Sequence, residues 1–238
     1  MFFVYNILFT LVLLISPIVI IIRIFLGKED KKRFKEKFCI FSKKNNIYNE
    51  IVWFHGASVG ELQSVVPILE ILEKNKKINQ ILVTSNTLSS AKIIQKLKLK
   101  KVTHQFFPID TNRLSKKFID YWKPSSVFFI DSEIWPNMVE NLKIQNIPIM
   151  LINGRITKKT FKRWKLFPRL SKKIFGNFDL CLASSEESNN YLKKLGAKKT
   201  KYIGNLKFAQ SENEKITINK KFKDIITSRE SWCASSTH

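Results

Sequence analysis

Short apolar runs alternate with helical patterns along most of this sequence, and this alternation restricts its fold more than any other feature. The apolar runs cover residues 51–54, 81–84, 103–107, 126–130, 148–152, 179–183 and 201–203. Helical patterns lie between them at residues 62–72, 89–97, 112–122, 135–144, 158–175 and 186–195. Apolar strands alternating with helices form parallel sheets that are buried on both faces. The sequence therefore predicts a doubly wound, Rossmann-like α/β domain at residues 45–208.

A different pattern precedes this domain. Residues 2–22 are apolar apart from Asn6, Ser16 and Pro17, and about 20 such residues are enough to cross a bilayer as a helix. A cleaved signal peptide is the alternative, but it normally has basic residues before a shorter apolar run and a small-residue cleavage site after it. Neither is present here, so we expect residues 1–26 to form a transmembrane anchor.

Basic residues follow the apolar run and mark residues 27–44 as a juxtamembrane segment. They are Arg23, Lys28, Lys31, Lys32, Arg33, Lys35 and Lys37. Basic residues beside a span remain on the cytoplasmic side, and each can contribute about 1 kcal/mol of attraction to anionic lipid headgroups. We therefore expect a single-pass protein of a bacterial inner membrane, with its folded domain in the cytoplasm and anionic lipids as partners.

The whole chain is strongly basic, with 42 Lys and Arg against 19 Asp and Glu in 238 residues, a formal charge of +23. Such a charge attracts phosphates, acidic sugars, anionic lipids or nucleic acid, although a general bias toward lysine produces the same value. No helix-turn-helix, RNP or zinc-finger signature is present, which argues against nucleic acid. Three scattered cysteines and three histidines show no metal-ligand spacing, so no disulfide, metal or cofactor is expected.

The first polar cluster at a predicted strand end is HGASVGE, at residues 55–61. Backbone N–H groups at the head of the following helix favour an anion there, and an ionised Glu61 can serve as a general base. Ser58 and Glu61 also have the spacing of a capping box, in which the two side chains bond to the free N–H groups of the first turn. Both interpretations of Glu61 stay open at this level.

Three more clusters follow strands farther along the chain. The segment DSEIWPN at residues 131–137 places Glu133 just after the C-terminal end of a predicted strand, where it can belong to a polar site or cap the next helix. The segment NGR at residues 153–155 ends in Arg155, whose guanidinium group suits a phosphate. In GNLKF at residues 204–208, Asn205 can bind a hydroxyl and Lys207 can neutralise a phosphate or carboxylate. In parallel sheets such strand ends form the ligand site.

Together and in this order, the segments are specific. WFHGASVGE at residues 53–61, EIWPN at residues 133–137, NGRI at residues 153–156 and GNLKF at residues 204–208 resemble the motifs of the 3-deoxy-D-manno-octulosonic acid (Kdo) transferases. The apolar segment followed by basic residues also resembles the start of that family. The resemblance extends over nearly the whole chain.

The resemblance implies a GT-B glycosyltransferase of lipopolysaccharide synthesis, whose N-terminal Rossmann-like domain binds the acceptor. It implies transfer of Kdo from CMP-Kdo to the lipid A precursor lipid IVA, with inversion and without a metal. Glu61 matches the family's general base, and Glu133 and Lys207 match its transition-state stabilisers. We expect the acceptor to contact Ser58, Gly60, Arg155 and Asn205.

The remaining residues predict a linker at 209–230, which is polar and charged, and the opening of a donor (CMP-sugar) domain at 231–238. In the resembling family a second domain of this kind makes most of the contacts with CMP. The alternative function is a non-catalytic, membrane-anchored module that binds the acceptor lipid, as a fragment or one half of a split enzyme would.

Overall fold

A computed structural model describes residues 2–43, 50–208 and Ser228. Helix α1 (Phe2–Phe25) leads through a 3-10 helix (Arg33–Phe38) into the α/β domain. The strands are β1 (Ile51–His55), β2 (Gln80–Ser85), β3 (Val102–Phe106), β4 (Ser126–Ile130), β5 (Ile149–Gly154), β6 (Leu180–Ala183) and β7 (Thr200–Tyr202). The helices are α2 (Val59–Lys74), α3 (Leu88–Lys96), α4 (Asn112–Trp122), α5 (Pro136–Ile144), α6 (Lys158–Lys165), α7 (Pro168–Phe175) and α8 (Glu186–Leu195). A short 3-10 helix (Leu206–Phe208) follows β7.

The seven strands form one sheet in the order β3-β2-β1-β4-β5-β6-β7, and every neighbouring pair is parallel. The order reverses between β1 and β4, which defines a doubly wound sheet and confirms the predicted fold class. Loops that leave adjacent strands at such a reversal turn to opposite faces and open a crevice at the carboxyl ends of the strands. The predicted polar clusters therefore follow strands that meet at this edge.

Each face of the sheet packs against its own hydrophobic cluster. Trp53 lies in a cluster with residues of α4, α5, α7 and α8, whereas its neighbours Val52 and Phe54 lie in a second cluster with residues of α2 and α3. Successive strand residues point to opposite faces, so a strand that is covered on both faces needs apolar residues in succession. This is why the strands were visible in the sequence as short continuous apolar runs.

One predicted helical stretch, residues 158–175, is two helices in the structure, α6 and α7. The break falls at Phe167, whose backbone lies outside the helical region (φ −127°, ψ 64°), directly before Pro168. A proline ring clashes with a helical conformation of the residue before it, and proline is favoured in the first turn of a new helix. The prediction of one continuous stretch was wrong at this point.

Strand β5 is longer than predicted. The apolar run ends at residue 152, but the strand continues through Asn153 to Gly154, which pairs with Ala183 of β6. Asn153 has a left-handed backbone conformation (φ 53°) and lies in an irregularity of the pairing between β5 and β6. The polar end of this strand is thus part of the sheet and is placed rigidly.

Helix α1 matches the predicted apolar segment and has a mean hydropathy of 2.8 over its best window. Among the described residues it is the single helix that is long and apolar enough to cross a membrane. Of its side chains, Ser16 and Ile20 are buried, whereas a long row of apolar side chains remains exposed.

The predicted basic segment after α1 carries part of its positive charge in internal ion pairs. Glu29 is buried and accepts hydrogen bonds from both Arg23 (3.2 Å) and Lys37 (2.6 Å). Arg33 forms a two-pronged ion pair with Glu36 (2.8 and 2.9 Å). Part of the positive charge is therefore neutralised within the protein.

Arg33 and Glu36 also attach this segment to the edge strand β3. The Arg33 guanidinium donates to the carbonyl oxygen of His104 (2.8 Å), and the Glu36 carboxylate accepts from the backbone N–H of Phe106 (2.9 Å). The two side chains satisfy backbone groups that would otherwise face outward from the last strand of the sheet. The predicted linker at 209–230, apart from Ser228, and the predicted segment 231–238 lie outside the described residues.

Candidate functional site

The loop after β1 holds Glu61 in the first turn of α2. Ser58 caps this helix, because its hydroxyl oxygen accepts from the backbone N–H of Glu61 (3.3 Å) while its proton goes to Glu61 Oε1 (2.7 Å). Glu61 Oε2 accepts from the backbone N–H of Ala57 (2.8 Å). Ser58 thus caps α2 as expected, whereas Glu61 reaches back to the N–H of Ala57 instead of that of Ser58, and these bonds hold its carboxylate in one orientation.

The electrostatic surroundings of Glu61 suit a proton acceptor. Burial raises the pKa of this half-buried carboxyl group, the hydrogen bond from Ser58 opposes the rise, and the negative charges of Glu133 and Asp131 add to it. A general base works best when its pKa approaches the working pH. Capping and catalysis are thus compatible at Glu61, since the same hydrogen bonds that close the helix also aim the carboxylate.

Glu133 follows β4 and is held by an indole ring. The Nε1–H of Trp135 donates to Glu133 Oε2 (2.9 Å) and also lies 3.0 Å from Nε2 of His55. His55 Nε2 is itself 3.3 Å from the same carboxylate oxygen. Since the pKa of Glu61 responds to the charge of Glu133, the two predicted glutamates occupy one site.

His55 joins this site to the core. It is fully buried, stacks on Phe107 (ring centroids 3.9 Å apart), and contacts the hydroxyl of Thr84 through Nδ1 (2.9 Å). Thr84 Oγ1 accepts from the indole of Trp53 (2.8 Å) and directs its own proton to a backbone carbonyl oxygen. These contacts run from Trp53 through Thr84 and His55 to Trp135, and they fix the orientation of the imidazole ring beside Glu133.

Lys207 reaches the same place from the 3-10 helix that follows β7. Its charge, with that of Arg155, opposes the rise that burial causes in the pKa of Asp131. A methyl group added to Gly60 would lie 3.8 Å from Lys207 Nζ, so the ammonium group stands over the first turn of α2. The predicted residues Glu61, Glu133, Lys207, Ser58 and Gly60 are therefore brought together.

Asn153 positions the segment that carries Lys207. It is buried at the end of β5, and its side-chain oxygen accepts from the backbone N–H of Leu206 (3.0 Å). Asn205 closes a tight turn in the same segment, since its Oδ1 accepts from the backbone N–H of Lys207 (3.0 Å). The sequence analysis placed Asn153 in the NGR segment but assigned it no role. An amide residue directly after an apolar run is the signal that could have identified it.

Arg155 and Asn205 line a cavity of about 410 Å³ beside the carboxylates. The exposed Arg155 shares this cavity with Lys158, with the hydroxyls of Ser184 and Ser185 at the head of α8, and with Glu187. Two cations and several hydroxyl donors can bind an anionic group, although Glu187 weakens that attraction. The structure thus divides the predicted acceptor residues between the loop after β1, with Ser58 and Gly60, and a neighbouring polar cavity, with Arg155 and Asn205.

Asp110 is a buried residue that the sequence analysis missed. Its carboxylate accepts from the backbone N–H groups of Asn137 (3.0 Å) and Met138 (2.8 Å), in the first turn of α5, and from the hydroxyl of Ser115 (3.0 Å). The helix following Glu133 and Trp135 is therefore capped by an acid from a different loop. An isolated Asp just after a strand, in a chain with few acids, is the signal available in the sequence.

Among the described residues, no group of three His, Cys, Asp or Glu side chains is placed to hold a metal ion. The site consists instead of three neighbouring carboxylates, Glu61, Glu133 and Asp131, faced by the cations of Lys207 and Arg155. It lies at the switch point of a parallel sheet. A general base held beside fixed positive charge is an arrangement suited to group transfer to a hydroxyl.

Comparison with known proteins identifies the family. Residues 32–210 match the family model described as 3-deoxy-D-manno-octulosonic-acid transferase (kdotransferase), and the chain belongs to that family. The resemblance found in the sequence motifs is thereby confirmed, and with it membership in a family of glycosyltransferases.

The chain is 35% identical to a 3-deoxy-D-manno-octulosonic acid transferase of Rickettsia bellii, over 98% of this chain and 56% of that protein. It is 31% identical to the transferase of Rickettsia prowazekii, over 89% of this chain and 54% of that protein. The chain spans about half the length of the curated relatives that it matches. A solved UDP-GlcNAc 2-epimerase from Neisseria meningitidis is 16% identical, with a TM-score of 0.49 over 66% of this chain and 47% of that one.

Proposed function

We propose that this chain is the acceptor-side part of a Kdo transferase that moves Kdo from CMP-Kdo to the lipid A precursor lipid IVA in lipopolysaccharide core synthesis. The observation that carries the proposal is the placement of Glu61. Its carboxylate is oriented by Ser58 and Ala57, its pKa is raised by burial and by neighbouring acids, and it lies beside the cation of Lys207. Family membership supplies the reaction class.

In the proposed reaction, the acceptor hydroxyl oxygen forms a bond to the anomeric carbon of Kdo as Glu61 takes the hydroxyl proton. The bond from that carbon to the phosphate oxygen of CMP breaks, and its electron pair leaves with CMP. Attack from the side opposite the leaving group inverts the anomeric centre. No metal is required in this scheme, because Lys207 supplies positive charge for the leaving phosphate or the Kdo carboxylate.

Glu133 has an electrostatic role in this scheme. The sugar becomes oxocarbenium-like in the transition state, and a fixed carboxylate stabilises the positive charge that develops there. The hydrogen bond from Trp135 supports this role, because it holds Glu133 Oε2 in place before the substrate arrives.

The acceptor is proposed to lie over the first turn of α2, with its sugar against Ser58 and Gly60. One of its phosphates would occupy the cavity beside Arg155 and Asn205. The size and cationic lining of that cavity support the assignment. The nucleotide of CMP-Kdo would contact a second domain, as the family resemblance implies.

We further propose that α1 anchors the α/β domain at the cytoplasmic face of the inner membrane. Its first turns pack against that domain through Tyr5 and Phe9, so its exposed apolar side faces the lipid while these turns do not project across the bilayer. The length and hydropathy of α1 and the basic residues after it support this orientation. A reporter enzyme that functions only in the cytoplasm should be active when fused after Phe208. Activity of a reporter that requires the periplasm, fused at the same residue, would contradict the orientation.

Binding by the purified chain in detergent micelles tests the acceptor assignment. We expect lipid IVA to bind, and Arg155→Gln to weaken that binding several-fold. Lys201→Gln is the matched control, since it removes one exposed positive charge from β7, outside the cavity. Equal weakening by the two variants would show that net charge alone attracts the lipid, and would contradict an acceptor site at Arg155.

A further inference from the structure

Helix α1 packs against the α/β domain near the candidate site. Phe9 meets the ring of Trp135 edge-on (centroids 6.4 Å apart), and Lys173 Nζ lies over the ring of Phe2 (5.1 Å). The hydroxyl of Tyr5 donates to the Asp110 carboxylate (2.7 Å). The N-terminal turns of the apolar helix therefore form one wall of the region around Glu133.

A groove of about 430 Å³ lies between these turns, the loop after β4, and the pair formed by α6 and α7. Its lining is almost entirely apolar. The side chains that form its walls include Tyr5, Phe9, Ile134, Trp135, Trp164 and Leu170. This shape and polarity suit a hydrocarbon chain and offer little to a sugar or a nucleotide.

The groove adjoins the site at Trp135. One part of Trp135 lines the groove, and its indole N–H donates to Glu133 Oε2. A hydrocarbon chain in the groove therefore lies on one side of Trp135 while the proposed reaction takes place on the other. At its opposite wall, the groove is continuous with α1, whose exposed apolar face suits the lipid phase.

The two helices on one side of the groove are basic, and Arg163 lines the groove itself; we call their cations the basic rim. Helices α6 and α7 contain no acidic residue, and their cationic residues are Lys158, Lys159, Lys162, Arg163, Lys165, Arg169, Lys172 and Lys173. Exposed Leu166 and Phe167 form the turn between the two helices. Apolar side chains surrounded by Lys and Arg are typical of a surface that meets anionic headgroups.

We propose that this groove binds one acyl chain of the acceptor lipid, and that the basic rim attracts the headgroup, one phosphate of which lies in the cavity beside Arg155. The inference rests on the proposed function and extends it by assigning the anchor helix a part in substrate binding. The acceptor's own chain is favoured over that of a bulk phospholipid because the groove opens beside Glu133 and carries a dense positive rim. The helix would then present the acceptor to the site as well as hold the protein at the membrane.

Photocrosslinking of the full chain in nanodiscs tests the proposal. The probe is lipid IVA that carries a diazirine in one acyl chain, and a phosphatidylglycerol with the same diazirine is the reference. We expect the lipid IVA probe to label peptides containing Phe9, Ile134 and Leu170 several-fold more than the reference does. Equal labelling by the two probes, or labelling spread along α1, would overturn the proposal in favour of bulk lipid.

Two variants separate the groove from a second apolar recess. Leu170→Trp and Thr160→Trp each fill the groove, and either should reduce lipid IVA binding several-fold. Ile15→Trp is the matched control, because it fills a recess of about 320 Å³ between α1 and Ile109. Thermal melts identify any variant that fails to fold, and the labelling map of the unchanged protein does not depend on the variants.

Deacylated lipid IVA distinguishes this proposal from the proposed function. If the deacylated headgroup binds as tightly as the whole lipid, and Leu170→Trp changes neither affinity, the acyl site is refuted while the acceptor assignment stands. If neither form binds, the acceptor assignment itself fails. Tighter binding of the acylated form, lost in Leu170→Trp and kept in Ile15→Trp, supports the groove.

Discussion

The hydroxyl of Tyr5 in α1 donates a 2.7 Å hydrogen bond to the Asp110 carboxylate, 105 residues later in the chain. Asp110 also caps α5, the helix that follows Glu133 and Trp135. The first turns of the apolar helix are thus connected, through one buried carboxylate, to the segment that carries two residues of the candidate site.

Tyr5→Phe should destabilise the protein by about 1–3 kcal/mol, the usual cost of removing a hydrogen bond to a buried charged acceptor. Unfolding in detergent micelles measures this change. Tyr191→Phe is the matched control, because Tyr191 donates to Glu187 at a similar distance (2.8 Å) on the exposed surface, where loss of the bond has little effect. Equal stability of the two variants would show that Tyr5 and Asp110 are not coupled.

Glu61→Gln should reduce transfer by roughly 10² to 10⁴-fold, because an amide cannot take up the acceptor proton. The assay uses a form of the enzyme that contains a donor-binding domain. Thr111→Ala is the matched control, because it removes the side-chain cap of α4, away from Glu61, and should cost about 1 kcal/mol of stability while leaving turnover unchanged. If Glu61→Gln melts lower but turns over normally, the residue is only a cap and the base lies elsewhere.

Gly60→Ala should leave the fold intact or raise its stability by about 0.5–1 kcal/mol, because alanine is favoured over glycine within a helix. The added methyl group would lie 3.8 Å from Lys207 Nζ, in the space assigned to the acceptor, so lipid IVA binding should fall. Gly56→Ala, by contrast, should destabilise the fold. Its methyl group would lie 3.0 Å from Leu62 and 3.2 Å from Ile130, and such overpacking costs about 1–3 kcal/mol. Undiminished lipid binding by Gly60→Ala would place the acceptor elsewhere.

The stability of the protein should depend on pH through His104. Burial, with the nearby charges of Arg33 and Lys43, lowers the pKa of His104 from 6.5 to about 3. The unfolded chain therefore binds a proton at a higher pH than the folded chain does. The stabilising contribution of the neutral ring is complete above pH 6.5 and is lost as the pH falls toward 3, by roughly 1 kcal/mol per pH unit.

The carboxyl groups of Asp110, Glu61 and Asp131 have raised pKa values. As the pH falls, they therefore increase the free energy of unfolding, whereas His104 decreases it. The contribution of His104 is therefore isolated as the difference between the wild-type protein and His104→Gln, with unfolding measured from pH 7 to pH 4. That difference should shrink as the pH falls. A difference that stays constant with pH would contradict a depressed pKa at His104.

The strands of this protein are predictable from sequence because both faces of the sheet are covered. Each strand is a short apolar run, and the bounds of β4, α4 and α8 match the predicted ones residue for residue. The division between α6 and α7 was missed because both helices have similar basic, amphipathic patterns. In the sequence, the break is indicated only by Pro168, which disfavours a helical conformation at Phe167.

The candidate site is predictable to the extent that its residues follow strand ends. Glu61, Glu133 and Lys207 were found in this way, and the parallel sheet brings their loops to one edge. His55 and Asp110 could not be assigned in the same manner, because their roles depend on distant partners. His55 meets Trp135, 80 residues away, and Asp110 meets Tyr5, so only the folded chain reveals either connection.

The contacts of Arg33 and Glu36 with strand β3 have a consequence for how the chain is made. An uncovered edge strand can pair with another polypeptide and begin aggregation, and these two side chains bind backbone groups of His104 and Phe106 at that edge. Both precede the whole sheet in the sequence, so they leave the ribosome before any strand is complete. The nascent chain therefore carries the cover for this edge before the edge itself exists.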